Sequence, residues 1–418
     1  MKSKFQKVKG TYDILPDESK VWRKVENIIH SLCEQFSFEE IRTPIIEKSN
    51  LFNQNLGNST DVQKEMFSWK DISGEDIVLK PEMTAAVVRA YLENGLFRSK
   101  PFSKLYYIDS FFRREKPQKG RQRQFHQFGV EVLGGDKKGS DQDTEIILIA
   151  SKLINKLKIK NTQLLINNIG TPEERKKWND NLKNYFTKHK TSLSKISQQR
   201  LERNPLRILD SKEPEDKQII QDSPKFISDD KYEINKFAKL KENLNALNIS
   251  YKIDPFLIRG LDYYNGNVFE ITANVKKSQN AICGGGRYDF LVEKMGGPST
   301  PAVGFAAGIE RLIMFSNLED NKNEIDAYII CKHADEYEKT LQLIEKLVDK
   351  KYKIYFATRW DKLKIERAVK MNAKFAIQVG KEYYWALDLK KKNSEPIKES
   401  EPIKEKEIGV FLKKLNFQ

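Results

Sequence analysis

The sequence has few of the residues that build disulfide frameworks and structural metal sites. Only three cysteines and four histidines occur in 418 residues. Cys33, Cys283 and Cys331 are scattered without a C-x-x-C spacing, and the histidines form no paired-ligand pattern. We therefore expect neither a disulfide framework nor a structural zinc, and no metal site of the protein's own. Any metal ion would have to enter with a substrate.

Long apolar runs are also lacking. The run EIILIASKLI, Glu145 to Ile154, is shorter than a bilayer span and has polar flanks. The lysine-rich stretch MKSKFQKVKG at the N-terminus is not followed by an apolar core. These features predict a cytoplasmic protein that does not enter a membrane.

Positive charge is abundant, with a formal net charge of +15 and a pI near 9.3. This charge favours a polyanionic partner, but lysine-rich genomes give many unrelated proteins a similar charge. Much of the lysine lies in dispersed helical stretches such as SKLINKLKIK, where a solvated face explains it better. A chain of this length suggests two or three domains.

Periodicity predicts several elements. Apolar residues recur at helical spacing from Val21 to Phe36, after a plausible N-cap at Pro16 and Asp17. FEEIRTPIIEK is typical of an extended segment interrupted by Pro44, and a helix is expected from Thr84 to Asn94. LYYIDSFFRRE and FHQFGVEVLG are typical of two strands of a long hairpin, and PAVGFAAGIERLIMF of a strand that passes into a helix.

The later part of the chain changes character. Residues from about 167 to 249 are lysine-rich and helical without obvious chemistry, which predicts an inserted module. Asn265-Gly266 is a strong signal for a two-residue hairpin. A composition shift after Asp320 marks a domain boundary, and the tandem SEPIKE repeat at 394–405 predicts an exposed loop.

The segment FFRREKPQKGRQRQFHQFGVE, residues 111–131, carries six cations between Arg113 and Phe125. A charge run between apolar stretches is usually a solvated loop. On the strand that follows, however, Gln127, Gly129 and Glu131 share one face while apolar residues share the other. Gln127 and Glu131 are then about 13 Å apart, far enough to contact two parts of one small molecule.

Other candidate residues have two interpretations each. Arg113, Arg259 and Arg311 lie beside apolar and glycine residues, where an arginine either forms a structural ion pair or binds an anion. The glycine triplet 284–286 either lets backbone approach a ligand or forms a turn. Tyr263 and Tyr264 are equally compatible with ordinary strand packing.

Taken together, six ordered segments resemble histidyl-tRNA synthetases, a family of class II aminoacyl-tRNA synthetases. They are KGTYDILP (9–16), LKPEMT (79–84), FRREKPQKGRQRQFHQFGVEVLG (112–134), RGLDYYNGNVFE (259–270), GGGRYD (284–289) and PAVGFAAGIERL (301–312). FSFEEIRTPIIE resembles motif 1 of the family, the dimer-forming segment. The basic hairpin resembles motif 2, and PAVGFAAGIERL resembles motif 3.

The resemblance implies an α+β fold with a class II catalytic core in residues 1–320. This core would have an antiparallel six-stranded sheet with flanking helices and an inserted helical module at about 167–249. Residues 321–418 would form an α/β anticodon-binding domain. The implied enzyme is a homodimeric histidine-tRNA ligase, which makes histidyl-adenylate from L-histidine and ATP with Mg²⁺ and transfers the histidyl group to tRNA(His).

The resemblance also implies roles for individual residues. Glu82, Thr84 and Gln127 match positions that bind the α-amino group of histidine. Glu131 and Tyr264 match positions that hydrogen-bond the two ring nitrogens, and Tyr263 and Tyr288 match residues that line the pocket.

The implied ATP contacts are cationic. Arg113 and Arg259 match the catalytic cations on either side of the α-phosphate, and Arg121 and Arg311 match contacts to the outer phosphates. The tip of the basic loop, around Gln118 and Arg123, would face the acceptor end of the tRNA.

Some positions depart from the family pattern. Lys80 stands where arginine is common, and Ser37 stands where glycine is usual in motif 1. The stretch KEYYWALDLKKKNSEPIKESEPIKEKE matches the family's last strands poorly.

Two other functions agree with parts of the sequence. The first alternative is the non-catalytic, synthetase-like regulatory subunit of ATP phosphoribosyltransferase. This subunit generally lacks the anticodon domain and parts of the site. A general RNA-binding module would need stacking aromatics and basic stripes without a pocket, whereas the polar face of Gln127 and Glu131 indicates a pocket.

Overall fold

A computed structural model describes residues 4–55, 61–116, 121–136, 139–275, 278–318, 325–331, 333–357, 364–380, 383–389 and 403–404. The chain divides into two compact units, Met1–Leu318 and Glu319–Gln418. None of the helices in these ranges is both long enough and apolar enough to cross a bilayer.

The first unit combines helices with one large sheet and one small sheet. Its helices are α1 (Pro16–Gln35), α2 (Ser49–Asn55), α3 (Asp61–Lys64), α4 (Thr84–Glu93), α5 (Leu96–Ser99), α6 (Asp141–Lys156), α7 (Pro172–Lys188), α8 (Lys195–Arg203), α9 (Asp216–Gln221), α10 (Lys231–Ala246), α11 (Leu291–Lys294) and α12 (Ile309–Phe315), with 3-10 helices at Lys190–Ser192 and Pro205–Asp210. Its strands are β1 (Glu39–Glu40), β2 (Ile46–Lys48), β3 (Phe67–Lys70), β4 (Asp76–Leu79), β5 (Ser103–Phe112), β6 (Gln124–Leu133), β7 (Thr162–Asn168), β8 (Tyr251–Ile253), β9 (Asn265–Val275), β10 (Ser278–Arg287) and β11 (Ala302–Gly308).

The large sheet has eight strands in the order β1-β5-β6-β11-β10-β9-β7-β8. Its six central strands are antiparallel, as the resemblance implies. Two short strands, β1 and β8, extend these six strands at the two edges, where they pair in parallel with β5 and β7. The small sheet has the order β2-β4-β3.

Strand β6 has the two faces that its sequence predicts. Phe128, Val130 and Val132 are fully buried among side chains of α1, α6 and α12. Gln127 and Glu131 therefore face the opposite side of the sheet, because successive side chains of a strand alternate. A helical layer covers one face, and the other face is left for a polar site.

The inserted module is helical, as predicted, and follows directly from strand β7 of the large sheet. Trp178, Leu182 and Phe186 of α7 are buried in the same hydrophobic cluster as Tyr263 and Tyr264 of the sheet side. The module is therefore continuous with the core on the polar-site face of the sheet.

The predicted hairpin at Asn265-Gly266 is wrong. These residues begin β9, and the strands β9 and β10 are joined further along, beyond Val275. Gly266 has φ +57°, and the pairing shifts register between Gly286 and Arg287, so the glycine forms a bulge at the start of the strand.

Helix α1 begins one residue earlier than its predicted cap. Leu15 is the N-cap, and Pro16 and Asp17 lie in the first turn. Proline is favoured there because the N–H groups of the first turn have no acceptor within the helix, so its lack of an N–H costs no hydrogen bond. The carboxylate of Asp17 interacts favourably with the positive end of the helix dipole.

The second unit is a separate α/β structure. Its elements are β12 (Ile325–Cys331), a 3-10 helix (Ala334–Glu336), α13 (Tyr337–Asp349), β13 (Ile354–Ala357), α14 (Lys364–Lys370), β14 (Ala373–Val379), β15 (Tyr383–Asp388) and β16 (Ile403–Lys404). The sheet order is β13-β12-β14-β15-β16, and the first three of these strands are parallel. Leu343 and Leu347 of α13 pack on Ile329 and Ile377 of the sheet. Most of the SEPIKE repeat lies outside the described residues.

Ser37 ends α1 in a left-handed conformation. Its φ is +58°, its N–H donates to Glu34 O at 3.0 Å, and the N–H of Phe38 donates to Cys33 O at 2.9 Å. This is the Schellman arrangement in which glycine is usual, because a Cβ is unfavourable in that conformation.

Replacing Ser37 with glycine should stabilise the first unit by about 0.5–1 kcal/mol, because the relief of left-handed strain exceeds the added entropy of the unfolded chain. Ser31→Gly, at an exposed position inside the same helix, should instead destabilise it by about 0.5 kcal/mol. Urea denaturation of both variants measures the difference. A loss of stability in Ser37→Gly would contradict the strain argument.

Candidate active site

A cavity of about 830 Å³ lies on the polar-site face of the large sheet. Its wall contains nine of the residues that the sequence predicts for the site: Glu82, Thr84, Arg113, Arg121, Gln127, Arg259, Tyr263, Tyr264 and Arg311. Four of the nine are arginines and one, Glu82, is a carboxylate. The wall also contains several hydroxyls and five further carboxylates, those of Glu18, Glu65, Glu115, Asp210 and Glu310.

Glu82 lies at the start of α4. Its two carboxylate oxygens accept hydrogen bonds from the backbone N–H groups of Thr84, at 2.8 Å, and Ala85, at 2.9 Å, and the hydroxyl of Tyr263 donates to it at 3.3 Å. Burial raises the pKa of Glu82, although these donors and Arg113 oppose that rise. A buried carboxylate with this environment suits a cationic ligand group.

Glu131 and Tyr288 lie behind the cavity wall. Glu131 is 1% exposed, and its oxygens accept hydrogen bonds from Thr84 Oγ1, at 2.8 Å, and from the hydroxyl of Tyr288, at 2.5 Å. Burial raises the pKa of Glu131 to about 8, despite these two donors. Thr84 therefore connects the cavity wall with the carboxylate behind it.

Aromatic rings enclose this end of the cavity. Tyr263 lies 4.8 Å from Tyr264 and 5.7 Å from Tyr288, measured between ring centroids. Tyr107, which sequence reasoning missed, lies opposite Gly129 on β5, and a Cβ at Gly129 would be 2.2 Å from its hydroxyl oxygen. The gap that glycine leaves in the polar face of β6 is thus filled by a tyrosine of the cavity wall.

Three arginines line the adjoining part of the wall. Arg113 donates from Nε to Pro81 O at 3.0 Å, and its guanidinium lies 5.1 Å from the ring centre of Phe125. Arg311 donates to Ala281 O at 2.6 Å, and Arg121 lies 3.4 Å from Glu115. Burial lowers the pKa of Arg113, and burial together with the charge of Arg121 lowers that of Arg311. Arg113 and Arg311 are desolvated, whereas Arg121 is about half exposed, and together these cations favour a polyanionic ligand.

The guanidinium of Arg259 lies against two paired strands, β9 and β10. Its Nη1 donates to Glu270 Oε2 at 2.6 Å, and burial, which lowers the pKa of the guanidinium, is outweighed by the nearby Glu270. Gly284 pairs with Glu270 across the strands, and a Cβ there would be 2.4 Å from Nη1 of Arg259. The glycine triplet is therefore part of β10 and not a turn, and Gly284 leaves the space that Arg259 occupies.

Other residues of the wall carried no clear signal in the sequence. Glu310 accepts hydrogen bonds from Tyr12, at 3.2 Å, and from the backbone N–H of His126, at 2.9 Å, so it connects the N-terminal segment to β6. Arg207 lies in the inserted module, for which the sequence showed no obvious chemistry, yet it also lines the cavity. Tyr12, Arg207 and Glu310 are far apart in the sequence, and their place in one cavity wall follows only from the tertiary fold.

The remaining sequence candidates lie elsewhere. The backbone N–H of Arg123 donates to Gly10 O at 2.7 Å, and Arg123 is not in the cavity wall. Gln118 lies outside the described residues. Lys80 is fully buried and donates to Asp109 at 2.6 Å and to Thr43, so it supports the strand beside Glu82. In the described ranges there is no group of three or more His, Cys, Asp or Glu residues placed to hold a metal ion.

Comparison with known proteins identifies the family. The family model described as histidyl-tRNA synthetase matches residues 10–312. The chain belongs to the histidyl-tRNA synthetase family. Its α+β fold with a large mixed sheet is that of a class II synthetase, in agreement with the motifs of the sequence.

Individual relatives cover most of the chain. A histidine–tRNA ligase of Dictyoglomus thermophilum is 43% identical over 380 residues, which is 89% of this chain and 90% of the relative. One from Streptococcus agalactiae is 40% identical over 408 residues, or 95% of each. The apo structure of S. aureus histidyl-tRNA synthetase matches with a TM-score of 0.77 and 30% identity, and covers 98% of this chain and 100% of that one.

The raised pKa of Glu131 gives this family member a pH-dependent stability. Between the unfolded value of about 4.5 and the folded value of about 8, the folded state holds a proton that the unfolded state releases. Stability should therefore fall as pH rises from 5 to 8, by about 2–4 kcal/mol for this group, since one pKa unit corresponds to about 1.4 kcal/mol.

Glu131→Gln should remove this part of the pH dependence, because glutamine does not titrate. Urea denaturation at pH 5 and pH 8 measures it, with Glu93→Gln, exposed at the end of α4, as the isosteric control. Equal pH slopes in the wild type and in Glu131→Gln would show that Glu131 is ionised at pH 5.

Proposed function

We propose that this protein is a histidine-tRNA ligase that attaches L-histidine to tRNA(His) through a histidyl-adenylate. The observation that carries the proposal is a single cavity in which Glu82 and tyrosines line one part of the wall, the carboxylate end, and Arg113, Arg121 and Arg311 line the adjoining part, the cationic end. An amino acid and a nucleotide triphosphate need these two environments side by side. The relatives named histidine–tRNA ligase support the same activity.

The carboxylate end would bind histidine. Glu82, Thr84 and Gln127 present oxygen acceptors to its ammonium group. Glu131 and the hydroxyl of Tyr264 would hydrogen-bond the two nitrogens of the imidazole ring. The side chain of Thr84 and the imidazole would first rearrange around the carboxylate of Glu131. A site that pairs both nitrogens rejects other side chains, because a ring without them leaves buried polar atoms unpaired.

The remaining aromatic residues would set the width of this pocket. Tyr263 lies in the cavity wall, and Tyr288 supports it from behind through its edge-on contact with the ring of Tyr263. Since the hydroxyl of Tyr288 also donates to Glu131, the two tyrosines would fix the carboxylate against which the imidazole docks.

The cationic end would bind ATP and stabilise the charge that develops during activation. A carboxylate oxygen of histidine attacks the α-phosphorus, and the bond to pyrophosphate breaks. Arg113 and Arg259 would lie on either side of the α-phosphate, and Arg121 and Arg311 would contact the outer phosphates. Mg²⁺ would enter with ATP, held largely by its phosphates.

Transfer to the RNA would use more of the chain. The loop that holds Gln118 and Arg123 would face the acceptor end of tRNA(His), and residues 321–418 would bind the anticodon. The enzyme would act in the cytoplasm as a homodimer formed through the motif 1 segment, residues 36–47.

The main alternative is the synthetase-like regulatory subunit of ATP phosphoribosyltransferase. A solved structure from Bacillus halodurans, titled as such a regulatory subunit or histidyl-tRNA synthetase, matches with a TM-score of 0.67 at 22% identity, a likeness of fold alone. A subunit without catalysis has no need of four arginines and Glu82 in one cavity. The intact set of site residues favours the ligase.

Histidine-dependent exchange of labelled pyrophosphate into ATP tests the activity directly. The purified chain should catalyse exchange with histidine and not with the other amino acids. Exchange without added amino acid would indicate a contaminant. Absence of exchange, combined with stimulation of an ATP phosphoribosyltransferase, would favour the regulatory subunit instead.

Arg259→His should lower the turnover of pyrophosphate exchange by on the order of 100-fold or more, and change histidine affinity little, because the cation acts on charge that builds in the transition state. Gly284→Ala should give a loss of about tenfold in the same direction, since its Cβ would displace the guanidinium without removing it. Steady-state kinetics and calorimetric histidine binding separate the two effects. Equal losses in histidine binding and turnover would contradict the role of Arg259.

A chain that ends at Leu318 should retain pyrophosphate exchange within about threefold and lose at least about tenfold in charging of tRNA(His), because the first unit contains the whole cavity and has its own core. Charging of a minihelix without an anticodon is the control, and it should not change. Full charging of intact tRNA by the shortened chain would assign the second unit another role.

A further inference from the structure

The segment that joins β8 to β9 carries Arg259, Tyr263 and Tyr264 into the cavity wall. Residues 257–264 are in neither helix nor strand. Backbone carbonyls of such a segment need donors from elsewhere when water is excluded, since an unpaired buried carbonyl is costly. The source of those donors determines where the three side chains lie.

Two arginines of the inserted module supply donors. Arg175 of α7 donates from Nη2 to Asp262 O at 2.5 Å and from Nη1 to Tyr264 O. Arg207 of the second 3-10 helix donates from Nη2 to Gly260 O. The carbonyls of residues 260, 262 and 264 are thus all bound from one side by guanidinium groups.

These bonds connect the module to the segment in addition to the packing of α7 in one hydrophobic cluster with Tyr263 and Tyr264. A cavity of about 320 Å³ separates them, with Arg175, Arg207 and Leu261 among its wall residues. Close-packed side chains fix the distance between two elements by contact, and this cavity interrupts such packing beside Leu261 and Asp262. The backbone position of residues 260–264 therefore depends on the guanidinium bonds as well as on the packing of Tyr263 and Tyr264.

The two arginines are themselves firmly placed. Arg207 is 9% exposed, and its own carbonyl accepts from Arg200 at 3.1 Å. Helix α7 is fixed at its start by the capping box of Thr171 and Glu174, and Trp178 one turn later donates to Pro224 O at 2.8 Å. Burial and the charge of Arg207 lower the pKa of Arg175, while Asp262 opposes this. Burial makes such cations costly unless they are paired, and both donate to backbone carbonyls of the segment.

We propose that Arg175 and Arg207 are positioning residues, through which the inserted module fixes the segment that presents Arg259, Tyr263 and Tyr264 to the substrates. The inference rests on the proposed function. It also means that movement of the module changes the rate of adenylate formation, since a displacement of about 1 Å in a catalytic group costs about a hundredfold.

Arg175→Met tests the proposal, because it removes the donors and keeps an unbranched apolar side chain. We expect turnover in pyrophosphate exchange to fall about 10- to 100-fold, with histidine KM changed less than about threefold. Amide hydrogen exchange of the peptide that contains residues 259–264 should become faster. Lys176→Met is the matched control, at an exposed neighbouring position that lines the same small cavity, and should behave as wild type.

Arg175→Lys separates charge from geometry. Lysine keeps the cation but lacks the planar fork that reaches two carbonyls, so this variant should remain well below wild type in turnover. Full activity in Arg175→Lys would overturn the bidentate role. Wild-type turnover and hydrogen exchange in both Arg175→Met and Arg207→Met would overturn the proposal as a whole.

The two proposals fail in different ways. If the wild type catalyses no histidine-dependent exchange, the proposed function is wrong, and hydrogen exchange of residues 259–264 still decides whether the arginines position the segment. If the wild type is active and the arginine variants match it in both measurements, only the positioning role is wrong.

Discussion

The site depends on two buried carboxylates that both contact one threonine. Glu82 and Glu131 both contact Thr84, and the charge of Glu82 further raises the pKa of Glu131. Burial of two acids so close together disfavours their joint ionisation, so one of them holds a proton more readily than in water. A bound ammonium group next to Glu82 would reverse this balance, because it supplies the missing positive charge. Ligand binding and proton release are therefore expected to be coupled in this pocket.

Glycines on the polar face of the sheet make this arrangement possible. Tyr107 occupies the space above Gly129, and Arg259 occupies the space above Gly284. A larger residue at either position would push a wall residue out of place while leaving strand pairing intact. The backbone of the sheet thus determines the site as much as the side chains that reach the cavity do.

Sequence patterns predicted the parts of the fold that local periodicity determines. The two faces of β6, the bounds of α4 and the helical nature of the inserted module followed from spacing of apolar residues, and they are confirmed. The family resemblance supplied nine residues that do line one cavity, although their roles remain predictions.

The errors arose where tertiary contacts override a local signal. Asn265-Gly266 has the composition of a hairpin turn, but Asn265 pairs with Arg287 of β10, and Gly266 exchanges backbone hydrogen bonds with Ile169 and Gly170 just after β7. Glu270, Tyr107 and Arg207 escaped notice because each is ordinary in its own segment. Their relevance comes from strand register or from contacts across more than fifty residues, as in the bond from Arg207 to Gly260.

Arg259 shows that an ion pair and an anion site need not be alternatives. Its Nη1 pairs with Glu270 at 2.6 Å, while its Nε is buried and has no hydrogen-bond partner among the described residues. The guanidinium is planar, so fixing one edge against Glu270 fixes the direction of the others. A phosphate oxygen that reaches this group would meet a donor already oriented, with little entropy left to lose. The pair with Glu270 reduces the net charge available to the phosphate, yet it retains the geometry that stabilisation of a transition state requires, and preorganised donors are the larger contribution in a site shielded from water.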